Sequence, residues 1–126
     1  MVAYSFQARF ADAVECGEKR QTIRANGKRR HAKPGDKLQL YTGMRTKACR
    51  KLRDAVCHDA CPILIDHDRV VTFRPQEFLD PEEVALRDGF ASWSEMRDWF
   101  DATHGLPFRG TMIRWLAPLA ERSEKH

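Results

Sequence analysis

Gly17-Glu18-Lys19-Arg20-Gln21-Thr22-Ile23-Arg24 places an amine, an amide, a hydroxyl and two guanidiniums within eight residues, directly behind a short apolar segment. Glycine tolerates positive φ, so Gly17 can end a helix, and Gln21 to Arg24 can then run on as a strand. In an extended strand Thr22 and Arg24 share one face while Gln21 and Ile23 share the other. Ile23 can enter a core from that register while Thr22 and Arg24 point into a pocket. Lys19 stands three residues before Thr22, so a straight strand would put the two on opposite faces. They converge only if the chain turns within Gly17–Arg20, as a helix-to-strand junction would make it do. Without such a turn the octet is an ordinary solvated basic loop leading into a strand.

Upstream, Tyr4 to Ala8 alternates apolar and polar and predicts a first strand. Phe10, Ala13 and Val14 then recur at helical spacing, which predicts a short helix over 9–16. Downstream, Asn26-Gly27-Lys28-Arg29-Arg30-His31-Ala32-Lys33 is a loop with four formal positive charges and no acid. Such a loop can follow a phosphate backbone, adding affinity without base specificity. Pro34-Gly35-Asp36 predicts a tight turn, and Lys37 to Tyr41 a strand with Leu38 and Leu40 inward. Gly43 to Lys47 is a second basic turn. Ala48 to Asp66 reads two ways. Cys49, Leu52, Ala55 and Val56 fit a helical face, whereas Pro62-Ile63-Leu64-Ile65 is strand-like and joins Arg69 to Phe73 through Asp66-His67-Asp68 as a hairpin.

Asp80-Pro81-Glu82-Glu83 combines an N-cap, proline at N1 and acids in the first turn, so a helix starts there and stops near Gly89. Ser92 or Ser94 can cap the next helix, in which Phe90, Trp93, Met96, Trp99 and Phe100 form a core stripe. His104-Gly105-Leu106-Pro107 ends it, and Gly110 to Leu116 predicts a last strand before a frayed, charged tail over 117–126.

The 126 residues fit one domain, 1–126, with 42% hydrophobic and 32% charged residues, a composition of folded rather than disordered chains. No apolar run approaches the roughly 18 to 20 residues of a membrane helix, and Met1 to Gln7 lacks the features of a secretory signal. A cytoplasmic monomer without membrane contact is the expectation. Cys16, Cys49, Cys57 and Cys61 include no C-x-x-C pair, which argues for reduced thiols over a zinc site; no metal and no cofactor are expected. Residues 1–53 carry fourteen Lys or Arg against four Asp or Glu, a balance of +10, whereas 54–126 carry eight against fourteen, −6. A basic half of this size suggests an anionic partner, most simply nucleic acid, unless the halves neutralise each other in the fold.

The octet resembles the G-x-K-x-x-T-x-R signature of the ASCH family, small β-barrel domains related to PUA modules. The likeness extends to Lys33-Pro34-Gly35-Asp36-Lys37-Leu38, to Asp88-Gly89-Phe90 with Met96 and Trp99-Phe100, and to Pro107 through Trp115, covering about residues 4–116. It implies an α+β fold: a small PUA-like β-barrel flanked by short helices, in which 48–66 includes a long barrel strand interrupted near His58-Asp59-Ala60. It also implies an RNA- or nucleoside-binding pocket around the octet. Arg20, Gln21, Arg24, Lys28, Arg29, Arg30 and Lys33 are then the candidate ligand-binding residues, although strand parity turns Gln21 away from Thr22.

Some family members are amidohydrolases that remove the acetyl group of N4-acetylcytidine with a lysine, a threonine and a glutamate. The resemblance carries these roles to Lys19, Thr22 and, by position, Asp88, an aspartate one methylene shorter than the family's residue. Glu82 and Glu83 are the alternative acids. Arg20 and Arg24 would depress the Lys19 pKa and Glu18 would oppose them. Other members are linked to RNA cleavage through the same pocket, a third possible activity, in which Lys19 and Arg24 would stabilise phosphorane charge.

Overall fold

The computed structural model describes residues 1–116; the charged tail over 117–126 lies outside them. In chain order the elements are β1 (Val2–Phe6), α1 (Ala8–Cys16), β2 (Gln21–Ala25), β3 (Lys37–Thr42), β4 (Arg50–Ile65), β5 (Val70–Thr72), β6 (Glu77–Leu79), α2 (Pro81–Arg87), α3 (Trp93–His104) and β7 (Phe108–Trp115). The architecture is mixed α/β, with one seven-stranded sheet and three short helices. None of these helices is long and apolar enough to cross a membrane.

β4 is the spine. Its first half pairs antiparallel with β3, which in turn carries β1 in parallel, and its second half pairs with β7 and, at its end, with β5. β7 carries β2 antiparallel on its far side, with Thr22 opposite Ile113 and Arg24 opposite Thr111. Two register shifts, at Leu40/Tyr41 against β4 and at Cys57/Asp59 against β7, bend this 16-residue strand. Bulges of this kind add twist and re-aim side chains. The expected interruption near His58-Asp59-Ala60 is therefore a register shift inside a continuous strand.

The sheet does not close on itself as the expected β-barrel would. Among the described residues no backbone ladder joins β1 to β2, so the sheet stays open there. A side chain crosses the gap instead: the Arg24 guanidinium donates from Nη2 to the Ser5 carbonyl at 2.7 Å.

Apolar residues from both halves of the sheet and all three helices fill the interior, among them Val14, Leu38, Leu40, Ile65, Met96, Phe100 and Ile113. Gly17 takes φ 89° and ends α1 by donating its backbone N–H to Val14 O, as the octet's first residue predicts. α2 begins as its sequence reads, with the Asp80 side chain accepting from Glu82 N and Pro81 in the first turn. Ser92, not Ser94, caps α3 by accepting from Glu95 N. Several elements differ from expectation. The helical reading of Cys49 to Val56 gives way to β4, β6 was not anticipated, and β1 ends at Phe6 because α1 already starts at Ala8.

Candidate functional site

Lys19, Thr22, Arg24 and Asp88 line one cavity of about 330 Å³ in the gap between β1 and β2. Three elements bring them there. The turn after Gly17, held by Lys19 N donating to Ala13 O at 2.9 Å, swings the lysine onto the Thr22 side of β2. β2 presents Thr22 and Arg24 by simple alternation. Asp88 ends α2, and Gly89 beside it takes φ +96°, the left-handed conformation that lets the chain leave the helix at the cavity floor.

Lys19 and Asp88 form a buried ion pair, 3% and 6% exposed as residues. Lys19 Nζ donates to the Asp88 carbonyl at 2.5 Å and stands 3.3 Å from Asp88 Oδ1. Gln21 donates from Nε2 to the same Oδ1 at 3.2 Å and to Val84 O at 3.3 Å. Burial lowers the Lys19 pKa; the Asp88 carboxylate opposes that shift and Arg24 reinforces it. Burial likewise raises the Asp88 pKa against the pull of Lys19, Gln21 and Arg24. Both shifts disfavour the charged form, as expected when desolvation outweighs pairing. The other acids of α2 are occupied elsewhere: Glu82 accepts from Trp93 N, and Glu83 pairs with Arg87 at the surface.

Thr22 takes its hydrogen bond from Arg24, whose Nε donates to Oγ1 at 2.8 Å. The Arg24 guanidinium also stacks over the Tyr4 and Phe6 rings, at 5.2 and 4.9 Å. Burial lowers its pKa, and Asp88 opposes that shift; a guanidinium nonetheless stays protonated in proteins. The cavity walls are aromatic. Phe6, Phe10, Phe90, Trp99 and Phe100 line it, and Phe10–Phe90, Phe90–Trp99 and Trp99–Phe100 pack ring against ring.

The remaining candidates separate. Gln21 faces away from the Thr22 side, as strand parity requires, and its amide steadies Asp88. Arg20 lines a different cavity of about 380 Å³ with Glu18, His58, Arg87 and Arg114. Neither Arg20 nor Glu18 is among the groups that shift Lys19, so the expected cationic field comes from Arg24 alone. Arg29 and Arg30 line a third cavity that adjoins the first. Lys28 and Lys33 are exposed and outside the linings of all three. Cys16 and Cys49 are exposed, Cys57 is buried and Cys61 half-buried, all as free thiols.

Sequence reasoning missed the wall. Phe90, Trp99 and Phe100 read as a core stripe, and they are that, but one edge of the stripe also faces the cavity. His104 and Thr103 join it from the last turn of α3. No periodicity marks the edge of a stripe that borders a cavity. Comparisons with family models, with curated proteins and with solved structures return no match to this chain.

Proposed function

We propose that the chain is an ASCH-like, PUA-related module, an incompletely closed barrel whose cavity between β1 and β2 receives a nucleobase of RNA or of a modified nucleoside. The observation that carries this reading is the cavity of about 330 Å³, aromatic on its walls and polar on its floor, where Lys19, Thr22, Arg24 and Asp88 meet. Its volume falls in the range of small-ligand sites, which are mostly apolar with a few placed polar groups. A flat base offers a π face to Phe and Trp rings and a hydrogen-bonding edge to hydroxyl, amine and carboxyl groups. A buried ion pair is weak evidence for stability, whereas perturbed titratable groups lining a cavity point to a functional site.

One contact favours a second reading, amide hydrolysis on an N4-acylated cytidine. Because Arg24 Nε donates to Thr22 Oγ1, the hydroxyl is free to give up its own proton, and the guanidinium stabilises the alkoxide that results. Burial lowers the Lys19 pKa, and this reading requires Lys19 to react as the free amine. In that state the Lys19 amine, released from the Asp88 carbonyl, takes the Thr22 proton as the oxygen attacks the acetyl carbon. Collapse of the tetrahedral adduct breaks the C–N bond as the Lys19 ammonium passes the proton taken from Thr22 to the departing cytosine N4. Water then hydrolyses the acetyl-threonine to acetate.

The test is incubation with N4-acetylcytidine followed by chromatography for cytidine, beside calorimetric titration of both nucleosides. Binding that Thr22→Ala and Lys19→Ala weaken supports the nucleobase pocket. Cytidine release that both substitutions abolish adds the hydrolase. If neither nucleoside nor single-stranded RNA binds the folded protein, the nucleobase reading fails.

A further inference from the structure

The cavity lined by Arg29 and Arg30, of about 390 Å³, opens beside the candidate site's cavity as a second, neighbouring concavity and shares Ser5, Arg24 and Ala25 with it. Arg29, Arg30, His31 and Arg45 also line it, and among the described residues no carboxylate does. The two basic stretches of the sequence, Asn26 to Lys33 and Gly43 to Lys47, thus converge on one concavity, although β3 separates them along the chain.

This convergence is built from fixed contacts. The first loop is folded back over β1: Ala32 N donates to Tyr4 Oη at 3.1 Å, and Tyr4 Oη lies 3.0 Å from His31 Nδ1. His31 Nε2 lies 3.0 Å from Ala25 O, and the Tyr4 and His31 rings stack at 5.9 Å. One hydrogen-bond assignment that fits both contacts has Nε2 donating to Ala25 O and Nδ1 accepting from the Tyr4 hydroxyl. Asp36 holds Arg30 at 3.6 Å from outside the cavity. The second loop is a tight turn in which Thr46 Oγ1 donates to Gly43 O at 2.6 Å and accepts from Ala48 N at 3.1 Å. Arg45 sits in that turn at φ 66°, a conformation that L residues other than glycine seldom adopt. Met44 N donates to Ser5 Oγ at 3.2 Å, so the residue whose carbonyl holds Arg24 also holds the Arg45 turn.

We infer that this cavity is a phosphate subsite, and that the ligand is a phosphorylated nucleotide or an RNA strand rather than a free nucleoside. The inference rests on the nucleobase reading of the neighbouring cavity and adds the ligand's charged half. Three groups point into a concavity that shares its wall with the base cavity, each with properties a phosphodiester matches. Arg29 and Arg45 offer forked donors that take phosphate oxygens two at a time. Arg24 lines both cavities, with Nε on Thr22 Oγ1 and Nη2 on the Ser5 carbonyl. The short shared wall suits a base in one cavity and its own phosphate in the other.

The experiment is an NMR titration of the labelled protein with cytidine, with cytidine 5′- and 3′-monophosphates, and with inorganic phosphate, repeated on Arg45→Gln and Arg29→Gln. The subsite predicts that phosphate alone shifts resonances of Arg29, His31 and Arg45. It also predicts that one monophosphate binds about tenfold tighter than cytidine, and that each substitution removes most of that gain. Equal affinity for cytidine and both monophosphates, or shifts untouched by both substitutions, overturns it. The base reading is scored separately by the Trp99 and Thr103 resonances. If they respond to cytidine while Arg45 ignores every phosphate, the base pocket stands and the phosphate subsite falls. If Arg45 responds to phosphate while Trp99 ignores every nucleoside, the subsite stands without the nucleobase.

Discussion

Burying Lys19 against Asp88 strips both groups of water, and one good hydrogen bond with a longer ion contact does not restore what is lost. The pKa directions carry that cost into a pH dependence. The Asp88 pKa is raised in the fold by burial, above an unfolded value of about 3.9. Between those two values the folded state holds more protons, so stability is fully present below the lower one and is lost as pH rises through the upper one. Lys19, lowered by burial, has the opposite sign, and its contribution is lost as pH falls through its folded value. Asp88→Asn removes this group, so its urea midpoint is expected to fall less than the parent's as pH rises from about 4 toward neutrality. Superimposable pH profiles would sink this account. Lys19→Met alone leaves a buried carboxylate without its partner, and about 3–5 kcal/mol of stability should be lost near neutrality. Lys19→Met with Asp88→Leu should recover most of it while nucleoside binding stays lost. Failure of the double variant to recover would make the pair a structural necessity.

Elements bring these residues together, and glycines mark where they approach closely. Gly89 sits at φ +96°, and a Cβ there would stand 2.8 Å from Phe10 Cδ1 and 3.4 Å from Lys19 Cδ. Gly89→Ala should cost roughly 1–2 kcal/mol from the left-handed backbone alone, and more from the displaced Phe10 ring. The ring belongs to the cavity wall, so ligand affinity should fall with stability. Gly27→Ala is the control, with nothing within 4 Å of its Cβ, and is expected to stay within about 0.5 kcal/mol of the parent. Equal urea midpoints for the two variants would contradict the packing argument.

Which elements were legible follows from what fixes each of them. α2 announces itself because its N-cap, proline and acidic first turn are local signals. The face assignment of Thr22, Gln21 and Arg24 was legible because strand parity is strict. The Asp88 partnership with Gln21 was not, since it spans 67 positions. β4 was ambiguous because its apolar residues satisfy a helical face, and Val56, one of them, is 53% exposed on the strand. Pairing with β3 and β7 decides it, and pairing is a tertiary fact. β6 has three residues and, among the described residues, pairs with β5 alone, too little sequence to carry a period. The opening between β1 and β2 is likewise a matter of which strands pair, which no local pattern encodes.

The whole molecule sorts its charge only in part. Some of the basic half is neutralised by the acidic half: Arg9 pairs with Glu95, Lys51 with Asp54, and Lys19 with Asp88. Others find partners within their own half, Arg50 with Glu15 and Arg30 with Asp36. What matters for an anionic ligand is where cations line a concavity that no acid lines, and the cavity of Arg24, Arg29 and Arg45 is such a place among the described residues. Counterion release distinguishes this built site from a diffuse basic surface. For single-stranded RNA the log–log slope of affinity against salt is about −0.7 per phosphate contacted. Arg29→Gln and Arg45→Gln should each make that slope shallower by about 0.7, because each removes one phosphate contact. Lys28→Gln removes the same formal charge from the same loop, yet Lys28 lies outside the cavity lining and should leave the slope nearly unchanged. Fluorescence anisotropy of a labelled oligonucleotide across a salt series reads all three. If Lys28→Gln flattens the slope as much as Arg45→Gln does, net charge rather than the cavity holds the RNA. A difference between them places the phosphates in the concavity and leaves the rest of the basic half to steer encounter.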